Sequence, residues 1–142
     1  MATSYEKRSI SAEAAQRMVS GAATKAADLG VPMCIAICDE SGQLKAFMRM
    51  DEAAQLSIEV DPDKAYTAIG FGMPTHAWYD FIKQDGLEGP LGKAAVGGTK
   101  RLVVFGGGYP IREDDAVIGG IGVSGGHYAQ DMEVAEAGLA AL

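Results

Sequence analysis

Residues 119–131, GGIGVSGGHYAQD, contain the residues of this chain that are best suited to binding or catalysis. The stretch includes GIGVSG, which matches the G-x-G-x-x-G pattern of dinucleotide-binding loops. That pattern serves a dinucleotide only when a helix and a second parallel strand follow, with an acidic residue about 20 positions further on. Residues 126–142 have room for one helix, and no glycine-rich segment ends in Gly-Lys-Ser/Thr. We therefore expect neither a dinucleotide site nor a Walker-type phosphate loop.

The same glycines still predict a strand-to-helix turn that is able to bind a small ligand. A strand that ends at Ser124 is followed by Gly125 and Gly126, both of which can adopt positive φ, and then by a helix. The first backbone N–H groups of a helix have no partner within it and attract anions or carbonyl oxygens. Ser124, Gly125 and Gly126 are therefore candidate ligand-binding residues. The alternative is that Ser124 caps the helix and the glycines only allow close packing.

His127 and Glu133 are the candidate catalytic residues of this region. A helix N-terminus disfavours the imidazolium, so a neutral His127 can act as a base, a hydrogen-bond donor or an iron ligand. With Glu133 as a carboxylate, it would support cofactor-independent acid–base chemistry on a carbonyl compound, such as isomerisation or lyase chemistry. The alternative is an exposed histidine at the start of a helix.

Two further groups of residues could contact a ligand. His76 and Tyr79 lie in one predicted helix, where aromatic side chains with Met73 can form a wall of a flat slot or belong to an ordinary core. Lys100 and Arg101 flank a glycine-rich stretch, where they can contact carboxylates or form a solvated basic loop.

Hydrophobic periodicity predicts the elements that position these residues in the first half of the chain. An amphipathic helix is expected over 11–29, with Ser11 as its cap and Gly30 as its stop. The run PMCIAICDE and the alternating residues 43–49 predict a hairpin whose first strand is buried on both faces and whose second strand buries Leu44, Ala46 and Met48. A helix is expected from Asp61, as the N-cap, and Pro62. A shorter helix is expected to be capped by Thr75 and to bury Trp78, Phe81 and Ile82.

The second half of the chain is rich in glycine, since 13 of the 19 glycines lie between Gly86 and Gly126. Two strands are expected there, RLVVF (101–105) and AVIGGIGVS (116–124), followed by a terminal helix from about His127 that leaves Asp131 off its buried face. The element order predicts a single α+β domain with an antiparallel sheet and helices largely on one face.

Composition narrows the classes of partner. The chain has 142 residues and a formal net charge of −7, which opposes binding to nucleic acid. It contains no apolar run of about 20 residues and no secretory signal. We expect a cytoplasmic protein with no membrane partner.

Several separated motifs closely resemble the GlcG/HbpS-like family of haem-binding or haem-degrading proteins. They are CDESGQLKAFMRMD, KAYTAIGFG, FGGGYPI, DDAVIGGIGVSGG and QDMEVAEAGLAAL, which occur in the family's order. The same region resembles the C-terminal part of PduO-type adenosyltransferases. The resemblance implies a sheet of about five antiparallel strands flanked by helices, a homo-oligomer, and haem or another tetrapyrrole as ligand.

Haem binding requires an axial ligand, and His76 and His127 are the two histidines of the chain. Relatives that bind tetrapyrroles can use a histidine on the first helix, where this chain offers only Met18 as a soft ligand. The resemblance also implies a link to small-molecule catabolism, because genes of many family members lie beside genes for it. The sequence thus supports two main hypotheses, a tetrapyrrole-binding protein and a cofactor-independent enzyme or accessory protein with its pocket at Ser124–His127. A purely structural oligomer subunit is a third.

Overall fold

The structure is a computed structural model that describes residues 1–84, 86 and 89–142. Its elements, in chain order, are α1 (Ala12–Leu29), β1 (Cys34–Asp39), β2 (Leu44–Arg49), α2 (Ser57–Phe71), α3 (Thr75–Gln84), α4 (Pro90–Gly98), β3 (Gly108–Glu113), β4 (Ala116–Ser124) and α5 (Tyr128–Ala140). The strands form one antiparallel sheet in the order β2-β1-β4-β3. The predicted α+β class is confirmed, and the described residues form four strands rather than five.

The helices cover both faces of the sheet, so the prediction that they lie largely on one face was wrong. On β4, Gly120 and Gly122 face α2, whose backbone comes so close that a Cβ at either position would collide with it. Ile121 and Val123 point the other way, into the core formed with α1 and α5. Glycine on alternate residues of β4 thus brings α2 close to the sheet, while branched residues fill the opposite side.

Helix α1 and the hairpin follow their sequence signals closely. The Ser11 side chain accepts a hydrogen bond from the Ala14 amide at 3.1 Å, and Gly30 ends the helix with a φ of 70°. Strand β1 is buried on both faces, as predicted. Strand β2 lies at the sheet edge and buries Ala46 alone, whereas Leu44 is 59% exposed. The prediction that Leu44 and Met48 are buried was therefore wrong for this chain by itself.

The segment 101–105 is not a strand, although its apolar, branched residues suggested one. Its backbone is tied to α2 by the Thr67 hydroxyl, which donates to the Arg101 carbonyl at 2.6 Å and accepts from the Val103 amide at 3.0 Å. Arg101 also adopts a left-handed φ of 66°. Because these bonds and this turn direct the segment along the helix, it does not join the sheet.

Helix α2 begins at Ser57, four residues before the predicted Asp61 N-cap. In the first turn, the amide groups of residues 57–60 donate hydrogen bonds to the carbonyls of residues 54–56, and Pro62 lies inside the helix. Pro62 is the sixth helical residue, so the helix lacks the one hydrogen bond that an N–H at this position would donate to the Ile58 carbonyl. Asp61 is instead fully buried against the sheet, and neither of its carboxyl oxygens has a hydrogen-bond partner in the part of the chain that the structure describes.

Helix α3 differs from its prediction in both its cap and its burial. The Thr75 hydroxyl accepts a hydrogen bond from the Gly108 amide at 3.0 Å, and so it anchors β3 rather than capping the helix. Phe81 is 44% exposed, and Trp78 and Ile82 are only half-buried. The predicted buried stripe is thus a partly open surface.

Candidate functional site

The turn from β4 to α5 uses most of its polar groups within the fold. The buried Ser124 hydroxyl donates to the Ser57 carbonyl at 3.2 Å, while the Gly126 amide donates to Asp131 Oδ1 at 3.0 Å. The N-cap of α5 is His127 rather than Ser124, because His127 Nδ1 accepts from the Ala129 amide at 3.3 Å. The amide donor of Gly126 is therefore not available to a ligand in this conformation. The Gly125 φ of 138° confirms the need for glycine at the turn.

The structure does not bring His127 and Glu133 together by any direct contact. The exposed His127 ring packs against the Tyr128 ring, with centroids 4.2 Å apart. Glu133 instead forms an ion pair with Lys25 of α1, whose Nζ lies 2.9 Å from Glu133 Oε1. Each member of the predicted catalytic pair thus has a different partner.

A buried ion pair lies beneath this turn. Lys64 Nζ is 2.8 Å from Asp131 Oδ2 and also donates to the Val123 carbonyl at 2.8 Å. Burial lowers the pKa of Lys64 and raises that of Asp131, and each opposite charge acts against the shift of its partner. The prediction that Asp131 faces away from the core was wrong. No clear signal of this pair exists in the sequence, because Lys64 follows Asp61 and Asp63 and so resembles part of a solvated charged segment.

His76 and Tyr79 do lie together, in a groove between α3, residues 104–106 and the start of α5. We call this the His76 groove; it has a volume of about 580 Å³ and is lined by His76, Tyr79, Asp80, Val104, Phe105, Gly106, Tyr128 and Met132. This volume falls within the range of about 300–1,000 Å³ that is usual for small-molecule sites. Met132 provides the methionine of this wall, rather than the Met73 suggested by the sequence.

The His76 ring is held without being committed to a hydrogen bond on its buried side. Its Nδ1 atom is buried and has no partner among the described residues. The ring packs edge-on against Tyr109, with centroids 5.7 Å apart, and the Tyr109 hydroxyl donates to Glu136 at 2.8 Å. Aromatic packing, rather than a hydrogen-bond network, therefore orients the imidazole.

Lys100 and Arg101 lie apart from His76, beside a second groove on the opposite face of α3. We call this the Trp78 groove; it has a volume of about 340 Å³, and its walls include Tyr66, Phe71, Trp78, Phe81, Lys100 and Leu102. Arg101, which also lines it, bonds Asp63 through Nε at 2.7 Å and stacks over the Tyr66 ring at 4.0 Å. The two cations predicted to meet carboxylates therefore do not line the groove that holds His76.

Other ligand classes find little support in the described part of the chain. Met18 is fully buried in the core, so its thioether does not reach either groove. No group of three His, Cys, Asp or Glu residues among those described is arranged to hold a metal ion. Within the described ranges, none of the helices combines the length and apolar character that crossing a bilayer requires.

The antiparallel sheet with glycines opposite α2, and the compact turn leading into α5, place this chain among single-sheet α+β proteins. Residues 10–140 match the family model described as "Haem degrading protein HbpS-like", and the chain is a member of that family.

Comparisons with individual proteins agree with this membership. The chain is 34% identical to an uncharacterized 15.0 kDa protein of the dhaT-dhaS intergenic region of Citrobacter freundii, over 98% of this chain and 96% of that one. It is 33% identical to the corrinoid adenosyltransferase PduO of the same organism, over 99% of this chain but only 41% of PduO. A crystal structure of a PduOC:heme complex is 32% identical, with a TM-score of 0.85 and coverage of 94% and 95% of the two chains. The chain thus spans about two fifths of the curated PduO protein.

Proposed function

We propose that this protein binds haem, or a related planar tetrapyrrole, in the His76 groove, with the His76 imidazole as axial ligand. Family membership and the 32% identical crystal structure of a PduOC:heme complex support the ligand class. The observation that carries the assignment of the site is that the groove combines a histidine with aromatic and thioether walls. Haem sites in proteins generally need these two features together.

The largely apolar walls of the groove fit the macrocycle of such a ligand, although no lysine or arginine among the described residues lines the groove to meet its propionates. Tyr79, Phe105 and Tyr128 line the groove with aromatic rings that suit a flat macrocycle, and Met132 adds a flexible thioether. The buried Nδ1 of His76 has no competing partner, so a modest ring rotation does not break a hydrogen bond. Bound haem would supply an iron centre for redox chemistry or for binding small molecules. The role of the chain would be to hold the macrocycle and limit its contact with water.

His127 is the alternative axial ligand, since it lies next to Tyr128 at the rim of the same groove. Its Nδ1 atom is already used to cap α5, which leaves the other ring nitrogen for iron. The acid–base enzyme hypothesis has less support among the described residues, because Glu133 is paired with Lys25 and Gly126 donates to Asp131.

The test is a titration of the purified protein with ferric haem, followed by absorption spectroscopy, for the wild type, His76→Ala and His127→Asn. Asparagine is a good N-cap residue, so His127→Asn removes the imidazole while it preserves the capping acceptor. We expect a saturable Soret band for the wild type and His127→Asn, and its loss or shift for His76→Ala. A wild-type titration indistinguishable from free haem would overturn the proposal. A band lost only in His127→Asn would transfer the role of ligand to His127.

We also propose that the protein forms a homo-oligomer through the edge strand β2. Leu44, Phe47 and Met48 are exposed there, on a strand with one unpaired edge. An apolar edge strand invites pairing or coverage by another chain. Light scattering of the wild type and of Leu44→Lys tests this, since the charged variant should dissociate to smaller species. A monomeric wild type would exclude it.

A further inference from the structure

We infer that the Trp78 groove is a second binding site, separate from the His76 groove, and that it takes a small aromatic carboxylate. The two grooves lie on opposite faces of α3, because His76 and Tyr79 line one while Trp78 and Phe81 line the other. The volume of about 340 Å³ is at the small end of the usual range for small-molecule sites. It therefore suits a ligand much smaller than a tetrapyrrole.

Aromatic side chains form the walls of this groove in a geometry that suits a further ring. Phe71 packs edge-on against Trp78 with centroids 5.2 Å apart, and Trp78 packs edge-on against Phe81 with centroids 5.7 Å apart. Phe71 is nevertheless 76% exposed. An apolar ring that entered the groove would continue this edge-to-face packing and shield Phe71 from water.

Two polar groups in the groove select for an acid. The indole Nε1 of Trp78 is buried and has no acceptor among the described residues. Because this atom is buried, the indole ring must rotate slightly to expose it, and a ligand that brings an acceptor would then satisfy the donor. Lys100 also lines the groove, is exposed, and forms no ion pair with a described residue. A carboxylate provides both the acceptor and the charge that these groups lack.

Arg101 is less suited to this role than Lys100. Its Nε is occupied by Asp63 at 2.7 Å, and its guanidinium stacks on Tyr66, which makes it part of the wall. The charge selectivity of the site should therefore depend mainly on Lys100.

The single tryptophan of the chain provides a direct assay, since fluorescence excited at the red edge, where tyrosine does not absorb, reports on Trp78 alone. The probe is 4-phenylbutyrate, and the control ligand is 4-phenylbutanamide, which has nearly the same shape but no charge. We expect saturable quenching or a spectral shift with the acid, and an affinity for the amide that is weaker by about fivefold to tenfold. Equal affinity for the two ligands, or no saturable change with the acid up to its solubility limit, would overturn the inference.

Matched variants locate the site. Lys100→Met removes the charge beside the groove, while Lys93→Met removes an exposed charge of α4 that does not line it. Lys100→Met should weaken acid binding by about fivefold, and Lys93→Met should leave it unchanged. In Trp78→Phe, followed by calorimetry, binding should also weaken. Equal effects of the two lysine variants would exclude local recognition by Lys100.

A final comparison separates this site from haem binding. The acid titration needs no haem, so its outcome does not depend on whether the His76 groove binds a tetrapyrrole. If haem does bind, 4-phenylbutyrate should leave the haem affinity unchanged, because the grooves are separated by α3. Direct competition between the two ligands would show that they share one site and would overturn the inference of a second one.

Discussion

The ion pair between Lys64 and Asp131 should be the most costly polar interaction to break in this fold. At the observed separation of 2.8 Å, an effective dielectric constant of about 20 gives an attraction of about 6 kcal/mol. Lys64→Met removes this attraction but also avoids the cost of burying the ammonium group. Because Asp131 is then left buried and unpaired, we expect a net loss of about 3–5 kcal/mol in the free energy of unfolding.

The assay is chemical denaturation of Lys64→Met, Asp131→Asn and the double variant. Asparagine can still accept the Gly126 amide, so the double variant removes both charges while it preserves the turn. It should recover a substantial part of the loss, with a coupling energy of about 2 kcal/mol. A coupling energy within about 0.5 kcal/mol of zero would refute the reasoning. Lys25→Met breaks the exposed pair with Glu133, at a similar distance of 2.9 Å, and should leave stability close to that of the wild type.

Two further predictions concern the contact between α2 and β4. Burial raises the pKa of Asp61 to about 8, so the folded protein keeps a proton that the unfolded chain releases above about pH 4. The contribution of Asp61 to the free energy of unfolding is complete below about pH 4 and falls towards pH 8, at up to about 1.4 kcal/mol per pH unit. In denaturation experiments, Asp61→Asn should flatten this decline between about pH 5 and 7. An unchanged slope would contradict the assignment. Gly122→Ala would place a Cβ against the Asp61 carbonyl oxygen and 2.6 Å from the Ala65 amide nitrogen, and should cost about 1–3 kcal/mol or more in thermal or chemical unfolding. Gly97→Ala, whose Cβ would meet no described atom within 4 Å, is the control and should be neutral or stabilising; equal losses in both would refute the packing explanation.

Local patterns predicted the elements whose signals are complete within a few residues. Ser11 and Gly30 bound α1, the apolar run at Cys34–Asp39 forms a central strand, and Ala116–Ser124 forms β4. In each case the side chains that decide the structure lie in the element itself or beside it. The resemblance to known motifs predicted the family and an antiparallel sheet, although with one strand more than the described residues form.

The remaining errors arise from contacts between distant parts of the chain. Residues 101–105 have the composition of a strand, but Thr67, more than 30 positions earlier, takes their backbone hydrogen bonds. Asp131 looked polar and exposed until Lys64, which is 67 positions away, supplied its partner. Periodicity cannot register such pairings, since it describes one element at a time.

In the candidate site, too, local relations were predicted and long-range ones were not. His76 and Tyr79 are one helical turn apart, and their proximity followed from the sequence. Their separation from Lys100 and Arg101 did not, because it depends on which face of α3 each groove occupies. The cap formed by His127 was also missed, as histidine is an uncommon N-cap residue.

The central claim is that His76 is the axial ligand of a haem bound in its groove. The most direct measurement is the absorption spectrum of ferric haem added to His76→Gly, recorded with and without imidazole in solution. We predict that the variant alone lacks the wild-type Soret band and that imidazole restores it, because the free ligand can take the place of the missing ring. A wild-type spectrum from His76→Gly without imidazole would contradict the claim.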